Sequence, residues 1–563
     1  MKKFSYREGA KDMGSYYRWE DWDFDEQRDL NREQVFVCAA GLNARVRTFL
    51  DFWCLAHIYT DASAIGCNYF QTPTSRGPDW RVKHGRLYVS VIKTTEEEHR
   101  QREPEFRKRI APWIDDYARE FYKLADVLNK EVEKIKAVDV EKATDSELKR
   151  AFEDWLEYYN RAAQIHFIWD YAYCNIYLMF EDLCKQLLGI DKRDRLFGDL
   201  MAGFDNKMLQ TDREQWRLGR LAQELGLESL FQSTPDDAKL LQKIKEGGDK
   251  GKQWVGELTK FVQEYGWRTG SNWDLSAPSW VEDPSSALPG IRMFMPQPTF
   301  VADDARKEQE KAREKAEQEA LSRIAADQKE IFSKLMKAAQ WAGPTKEEHV
   351  FYCENYGNAL GHRLTKEISR RFVKGGVIDD PLDLYYLLPV EIDIRIVPRF
   401  SAGDIPKIRR KQFEELAAVK FPPFIGDPTA IGPTLMADPM IAFAVAPNPA
   451  VKPELKADLY GTIAAPGFAE GLARVIRNEN EFATFKSGEI LVTMETSSSW
   501  SPLFGMAKAI VTDGGGALSH AAIVGRDYGL PVVAGTVEGT LKIRTGMKLR
   551  VDGDSGVVYI LEK

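Results

Sequence analysis

A chain of 563 residues is long enough to bury more than one hydrophobic core, and its length suggests three or four domains at most. With 78 Lys+Arg against 86 Asp+Glu, the net charge of -8 removes the electrostatic case for a nucleic-acid partner or an anionic membrane surface. The six cysteines, Cys38, Cys54, Cys67, Cys174, Cys184 and Cys353, show no CxxC spacing and sit mostly among apolar neighbours. Buried free thiols in a reducing compartment are therefore expected, rather than disulfides or a zinc site.

The first residues, MKKFSYREGAKD, carry two lysines but no apolar h-region, and no run in the sequence approaches the length needed to span a bilayer. A cytoplasmic protein is expected. Phe52 to Tyr59 (FWCLAHIY) places Trp53 and His57 in an aromatic cluster. Thr144 to Glu147 is a capping box, and Leu148, Phe152, Trp155, Leu156 and Tyr159 follow at helical spacing.

HFIWDYAYCNIYLMF sets His166 and Asp170 at i and i+4, with Trp169 beside them and Tyr173 and Tyr177 continuing the face. Such a pair can orient an imidazole to take a proton, and rings of this density suit a pocket for a flat molecule. A core stripe containing a satisfied His–Asp pair explains the same residues. Gly247 to Gln253 (GGDKGKQ) is one residue short of a phosphate-binding P-loop and lacks the following Ser or Thr.

Ala305 to Ala339 is dense in Lys, Glu and Ala, as a solvated helix face would be. Thr345 to Glu348 repeats the capping-box signal. Beyond it, Val350, Cys353, Gly357, Leu360, Gly361, Leu364 and Ile368 form one face, whose two glycines permit close approach. Glu354 and His362 lie on this segment. Eight of the 26 prolines fall between Pro422 and Pro453, which predicts a semi-rigid connector.

The last segment, TDGGGALSHAAIVGRDYGLPVVAGT from Thr512 to Thr536, carries the sharpest signal. Ala509–Val511 reads as a buried strand, Gly514 to Gly516 as a loop of little bulk, Ser519 as an N-cap and Ala521 to Tyr528 as a helix, with Leu530 to Val533 resuming as strand. His520 thus stands at a helix N-terminus, where the positive partial charge disfavours its protonation and favours an acquired phosphoryl group. Thr512, Gly514, Gly515 and Ser519 form the expected phosphate loop around it.

This string resembles the phosphohistidine signature of the phosphoenolpyruvate-utilising enzymes, the swivelling domain shared by pyruvate phosphate dikinase, phosphoenolpyruvate synthase and rifampin phosphotransferase, whose GGxxSHAA histidine is phosphorylated. The likeness extends through Ala465-Pro466-Gly467, GLARVI at 471–476, GEILV at 488–492, Trp500 to Phe504 and Val551-Asp552-Gly553. Leu518 stands where the dikinases carry a regulatory threonine, so control of that kind is not expected. Tyr265 to Pro284 (YGWRTGSNWDLSAPSWVEDP) and Asp379 to Leu387 (DDPLDLYYL) resemble strings in the acceptor-binding domains of rifampin phosphotransferase and phenylphosphate synthase. Trp267 and Asn272 depart from the family's frequent His and Glu, so acid–base roles at those positions do not transfer.

The resemblance implies an α+β multidomain chain: a mixed segment of the acceptor domain over 1–100, a mostly helical acceptor-binding domain over 101–435, a proline-rich linker over 436–457 and an α/β swivel domain over 458–563. It further implies ATP-dependent phosphorylation of a small phenol through phosphorylated His520, with ATP and Mg²⁺ on a separate ATP-grasp subunit and neither nucleotide nor metal held here. Arg268 would support the transferring phosphoryl group and His166, oriented by Asp170, would take the hydroxyl proton. Trp53, His57, Trp169, Tyr173, Glu354 and His362 would line the acceptor site. Phosphorylation of another hydroxyl compound such as an antibiotic, and a phosphocarrier or regulatory role, are the alternatives.

Overall fold

The computed structural model describes residues 35–38, 48, 50–51, 54, 61–83, 86–192, 194–269, 275–395, 401–417, 422, 424–430, 434–444, 455–496, 500–516 and 519–562. The architecture is α+β and multidomain: a large helical domain, flanked by a small antiparallel sheet, precedes an α/β domain. Trp53, His57, Asn272 and Leu518 lie outside the described residues.

The small sheet gathers β1 (Val35–Cys38), β2 (Ser75–Lys83), β3 (Arg86–Lys93) and β4 (Phe424–Gly426) in the order β2-β3-β1-β4, with every pair antiparallel. Helix α1 (Ser63–Phe70) packs on it. Two capping boxes start the next long helices. Thr95 with Glu98 begins α2 (Glu96–Asp115), α3 (Tyr117–Lys136) follows, and Thr144 with Glu147 begins α4 (Asp145–Leu188), as the sequence predicts.

Helix α4 runs 44 residues, about 66 Å at 1.5 Å per residue, and residues 162–177 are all buried. A helix buried on every side carries no single apolar stripe, so its polar groups must find partners inside the protein. Those partners come chiefly from the helices packed around it.

After α5 (Lys207–Glu224) and α6 (Gly248–Tyr265), which share a separate core around Leu218, Trp254, Phe261 and Ile291, the chain continues through α7 (Val301–Arg323) and α8 (Lys329–Val350). The glycines at 247–251 turn the chain into α6. A Cβ on Gly251 would overlap the Ile244 carbonyl oxygen, so they close a helix–helix corner rather than open a phosphate loop.

Thr345 does not begin a helix. Its hydroxyl donates back to the carbonyls of Trp341 and Ala342, and α8 passes through Pro344 without a break. A π-helical turn, Phe351–Asn355, then joins α8 to α9 (Tyr356–Lys374). The two glycines act as expected: added Cβ atoms would stand 2.6 Å from the Tyr159 ring at Gly357 and 2.5 Å from Trp155 at Gly361, and Trp155 Nε1 donates to the Gly357 carbonyl at 2.8 Å.

The expected linker over 436–457 begins too early. Pro439–Ala444 is a helix seated on α4, with Ile441 fully buried. Asp438 accepts from the Met440 and Ile441 amides and, at 2.8 Å, from the Tyr171 hydroxyl. Proline restricts backbone torsions but does not forbid a helical first turn, and the apolar residues between the prolines found a core to enter.

The C-terminal domain is a sheet in the order β5-β12-β11-β7-β8-β9-β10-β6. These strands are β5 (Leu459–Tyr460), β6 (Thr462–Ala465), β7 (Phe468–Val475), β8 (Ile490–Thr493), β9 (Ala509–Thr512), β10 (Val532–Ala534), β11 (Lys548–Asp552) and β12 (Val557–Glu562). β7 to β10 are mutually parallel and the rest antiparallel. The two ends of this order, β5 and β6, are one chain segment interrupted only by Gly461, so the sheet closes on itself. An added Cβ at Gly461 would meet Val533 Cγ1 at 2.5 Å, which makes glycine the residue that lets the seam close.

Gly361→Val should destabilise the helical domain by about 1–3 kcal/mol, the range for overpacking a filled core. Gly343→Ala, in α8 with nothing within 4 Å of the new Cβ, should be neutral or stabilising by up to about 1 kcal/mol. Chemical denaturation of the two variants checks the contrast, and equal loss in both would refute the assigned packing.

Candidate functional site

Parallel pairing of β9 with β10 places the loop between them, and helix α10 (His520–Asp527), at one end of the C-terminal sheet. The loop is tied down from within. Asp513 accepts from the Thr540 amide and the Thr536 hydroxyl, while the buried Thr512 hydroxyl donates to the Gly514 carbonyl at 2.8 Å. Thr512 is therefore a loop brace rather than a phosphate ligand.

Gly514 packs against Glu495, and Gly515, at φ +88°, occupies a left-handed conformation that favours glycine. Ser519 holds the N-cap position, but its hydroxyl donates to the Gly516 carbonyl at 2.9 Å instead of capping an amide. The first-turn amides of α10 are left without a side-chain cap, as an anion site at a helix N-terminus requires.

His520 is half-buried rather than on an open turn, because α10 packs against the helical domain. Its Nδ1 lies 2.8 Å from Thr496 Oγ1, its Nε2 lies 3.2 Å from Met208 Sδ, and its ring meets Phe504 edge-on at 5.8 Å. Desolvation among these apolar groups pushes its pKa down to about 3, so the imidazole is neutral. When Nδ1–H donates to Thr496 Oγ1, the lone pair rests on Nε2, the nitrogen turned toward the helical domain.

Apolar residues of the two domains merge here. Met208, Leu209, Phe294 and Phe300 form one cluster with Ala521, Val524 and Tyr528. Polar contacts rim it: Tyr528 donates to Asp212 at 2.8 Å and Asn206 Nδ2 donates to Asp527 at 3.1 Å. Burial raises the Asp212 carboxyl to about 7 and Asp527 to about 8.

Arg268 lies on this side of the helical domain. It is buried, donating from Nε to the Tyr265 carbonyl and from Nη2 to Thr211 Oγ1, with Trp280 and Phe351 under its guanidinium, and burial lowers its pKa to about 10. Thr211 is one turn beyond Met208 on α5, so Arg268 backs the surface that His520 touches.

A second cluster sits inside the helical domain. His166 Nε2 is 3.2 Å from Asp170 and its Nδ1 is 3.0 Å from Glu354. The His349 ring lies 4.6 Å from that of His166, and Lys346 donates to Asp170 at 2.6 Å. Burial acts to lower the His166 pKa, but Glu354 and Asp170 together outweigh it and raise the group to about 9. The expected role of His166 as a base is thereby corrected, because Glu354 and Asp170 favour its protonated form. His349, desolvated beside His166 and Lys346, falls to about 4 and is neutral.

The structure thus gathers His166, Asp170 and Glu354 from the expected site residues and adds His349 and Lys346. Trp169 lies at the edge of this group, stacked on Phe121 at 4.4 Å, and Tyr173 is fully buried further along α4. His362 pairs instead with Glu282 at 2.8 Å, fastening the EDP string to α9. Met208, Thr496, His349 and Lys346 were not expected. Lys346, His349 and Glu354 fall at i, i+3 and i+8, a spacing that keeps them on one side of the chain as α8 passes into the π turn.

The docking contacts imply a pH dependence. Asp212 and Asp527 have raised pKa values in the docked state, so their contribution to docking is complete below the ordinary carboxylate range and is lost as pH rises through about 7 to 8. His520 works in the opposite sense, but only below its ordinary value near 6.5. Small-angle scattering should show a larger radius of gyration at pH 8.5 than at pH 6.5. An unchanged radius would count against this linkage.

Comparison with known proteins gives two matches. Residues 166–347 match the family described as rifampicin phosphotransferase fourth domain, and residues 485–556 match the PEP-utilising enzyme mobile domain. The uncharacterized phosphotransferase YvkC of Bacillus subtilis is 32% identical over 371 residues, 65% of this chain and 43% of its own length. Rifampicin phosphotransferase of Bacillus cereus is 28% identical over 352 residues, 59% of this chain and 37% of its own. Phosphoenolpyruvate synthase of Pyrococcus furiosus is 47% identical over 106 residues, 19% of this chain and 13% of its own. The chain spans less than half the length of these relatives. No helix among the described residues is long and apolar enough to cross a membrane. Over residues 166–347 the chain is thus similar to the rifampicin phosphotransferase fourth domain, and over 485–556 to the mobile domain of the PEP-utilising enzymes, as in proteins named phosphotransferases.

Proposed function

We propose that this chain is the carrier and acceptor part of a phosphotransferase: His520 Nε2 takes a phosphoryl group at the mouth of α10 and passes it to the hydroxyl of a small phenol held in the helical domain, forming an aryl phosphate. The observation that carries the reading is the state of His520. It is a neutral imidazole, braced at Nδ1 by Thr496 and directed by Nε2 at the partner domain, beside uncapped helix amides that suit a phosphoryl group.

The acceptor assignment draws on the buried aromatic stretch of α4. Arg526 and Asp527, at the far end of α10, lie within electrostatic reach of Tyr173 and Tyr177 and of Glu347 respectively. Among the described residues His520 itself touches Met208 and Phe504, not the His166 cluster, so discharge requires the mobile domain to shift over this surface. In this reading Arg268, behind Met208, would stabilise the transferring group. ATP and Mg²⁺ belong, in this reading, to an ATP-grasp partner that charges His520 with release of AMP and inorganic phosphate.

Incubation with ATP and that partner should give an acid-labile phosphoprotein, abolished by His520→Ala, and adding phenol or 4-cresol should discharge it. Thr496→Val should slow charging by roughly tenfold or more, because the ring loses the group that fixes its tautomer. In the docked arrangement the His520 ring should show no titration step near 6.5 between pH 5 and 8 when followed by NMR, since burial keeps it neutral there. Label retained by His520→Ala would overturn the carrier assignment. Discharge by rifampicin but by no phenol would move the acceptor to an antibiotic hydroxyl.

A further inference from the structure

We propose that His166, His349 and Glu354 form a binding site for one divalent cation of the zinc class. Their ligand atoms all lie within 4.8 Å of one another, brought there from α4, the end of α8 and the π turn. Ligands at about 2.0–2.1 Å in a tetrahedral site stand roughly 3.4 Å apart, so a shift of at most about 1.4 Å in the widest pair closes the set. Two imidazoles and one carboxylate are the protein ligands of a three-ligand zinc site, in which a further position stays open.

Three observations distinguish this group from an ordinary ion pair. First, all three residues are more than nine-tenths buried, with exposures of 8% for His166, 2% for His349 and 4% for Glu354. Second, His166 Nδ1 and Glu354 Oε2 are buried without a hydrogen bond. Nδ1 nonetheless lies 3.0 Å from Glu354 Oε1, so the two groups converge on one point.

Third, the supporting groups are in place. His166 Nε2 sits 3.2 Å from Asp170, which Lys346 holds at 2.6 Å. Metal-bound histidines characteristically donate their other ring nitrogen to a carboxylate, which fixes the ring and strengthens it as a ligand. The charges also allow it: the cation displaces the proton of His166, and two carboxylates, one ammonium, two then-neutral imidazoles and one divalent cation sum to +1, which one bound oxyanion would neutralise. That the oxyanion is the acceptor hydroxyl rests on the function proposed above; the metal site itself does not.

The test uses the whole chain, stripped with chelator and titrated with Zn²⁺ by calorimetry and with Co²⁺ by visible absorption. One equivalent of each should bind, with the Co²⁺ spectrum of a four- or five-coordinate ion. His349→Ala and Glu354→Gln, shown to be folded by circular dichroism, should each weaken binding at least 100-fold. Asp170→Asn should weaken it by about 10–100-fold, the range for a carboxylate supporting a ligating histidine. Absence of one-equivalent binding to the unmutated chain, or equal affinity in the folded ligand variants, overturns the proposal. Metal bound as expected, with no discharge of phosphorylated His520 by phenols, would sustain the metal site and refute the phenol reading.

Discussion

A carboxylate with no route to water has to be neutralised where it stands, and Asp170 imposes that constraint on the helical domain. It lies in the part of α4 buried on every side, and stripping a partner from a buried pair costs about 3–5 kcal/mol. Lys346 and His166 meet it directly and His349 stands 3.9 Å away. Two of those partners lie on α8, so α8 must hold one register against α4. That register continues into α9, where Gly357 and Gly361 admit the Tyr159 and Trp155 rings against the backbone. The π turn between them then swings Glu354 onto the free side of His166. Core packing and the candidate chemistry are thus set by the same helix alignments.

The C-terminal domain meets a different constraint. Its sheet closes through Gly461, so its body is self-contained and one face carries its own core around Val492, Val511 and Leu549. The opposite face, with α10, shares an apolar cluster with Met208, Phe294 and Phe300. Burial of that shared surface favours docking by roughly 25 cal/mol for each square ångström of apolar area. The carboxyls that rim it, Asp212 and Asp527, oppose docking once they ionise. A domain that has to stay attached yet come away is served by such opposed terms.

Much of this was legible in the sequence where the signal is local. The Thr144 capping box, the strand–glycine–helix–strand pattern around His520 and the two glycines of α9 each follow from short-range rules, and each holds. The failures share a cause. Thr345 reads as a helix start, but tertiary packing carries α8 through it, and Pro439–Ala444 reads as linker because prolines mark turns even where apolar neighbours have a core to join. His349 and Lys346 escaped because the residues they meet lie on another helix, 176 residues away in the Lys346–Asp170 pair, and no local spacing reports that contact. Met208 and Thr496 escaped because a thioether and a hydroxyl, 312 and 24 residues from His520, leave no spacing to read.

The environment that keeps His520 neutral also bears on how a phosphorylated form could behave. Met208 and Phe504 solvate an uncharged imidazole well and a phosphoryl dianion poorly, and an unpaired buried charge is penalised by several kcal/mol. The uncapped amides of α10 offset part of that penalty, because they move with the histidine. The Met208 contact does not move with it. Charging would therefore weaken the docked arrangement seen here and leave the helix N-terminus intact, so a phosphorylated mobile domain would tend to leave this surface carrying its own anion site. Within the proposed function, the same apolar contact that prepares the nucleophile thus supplies the bias toward motion once the phosphoryl group is on.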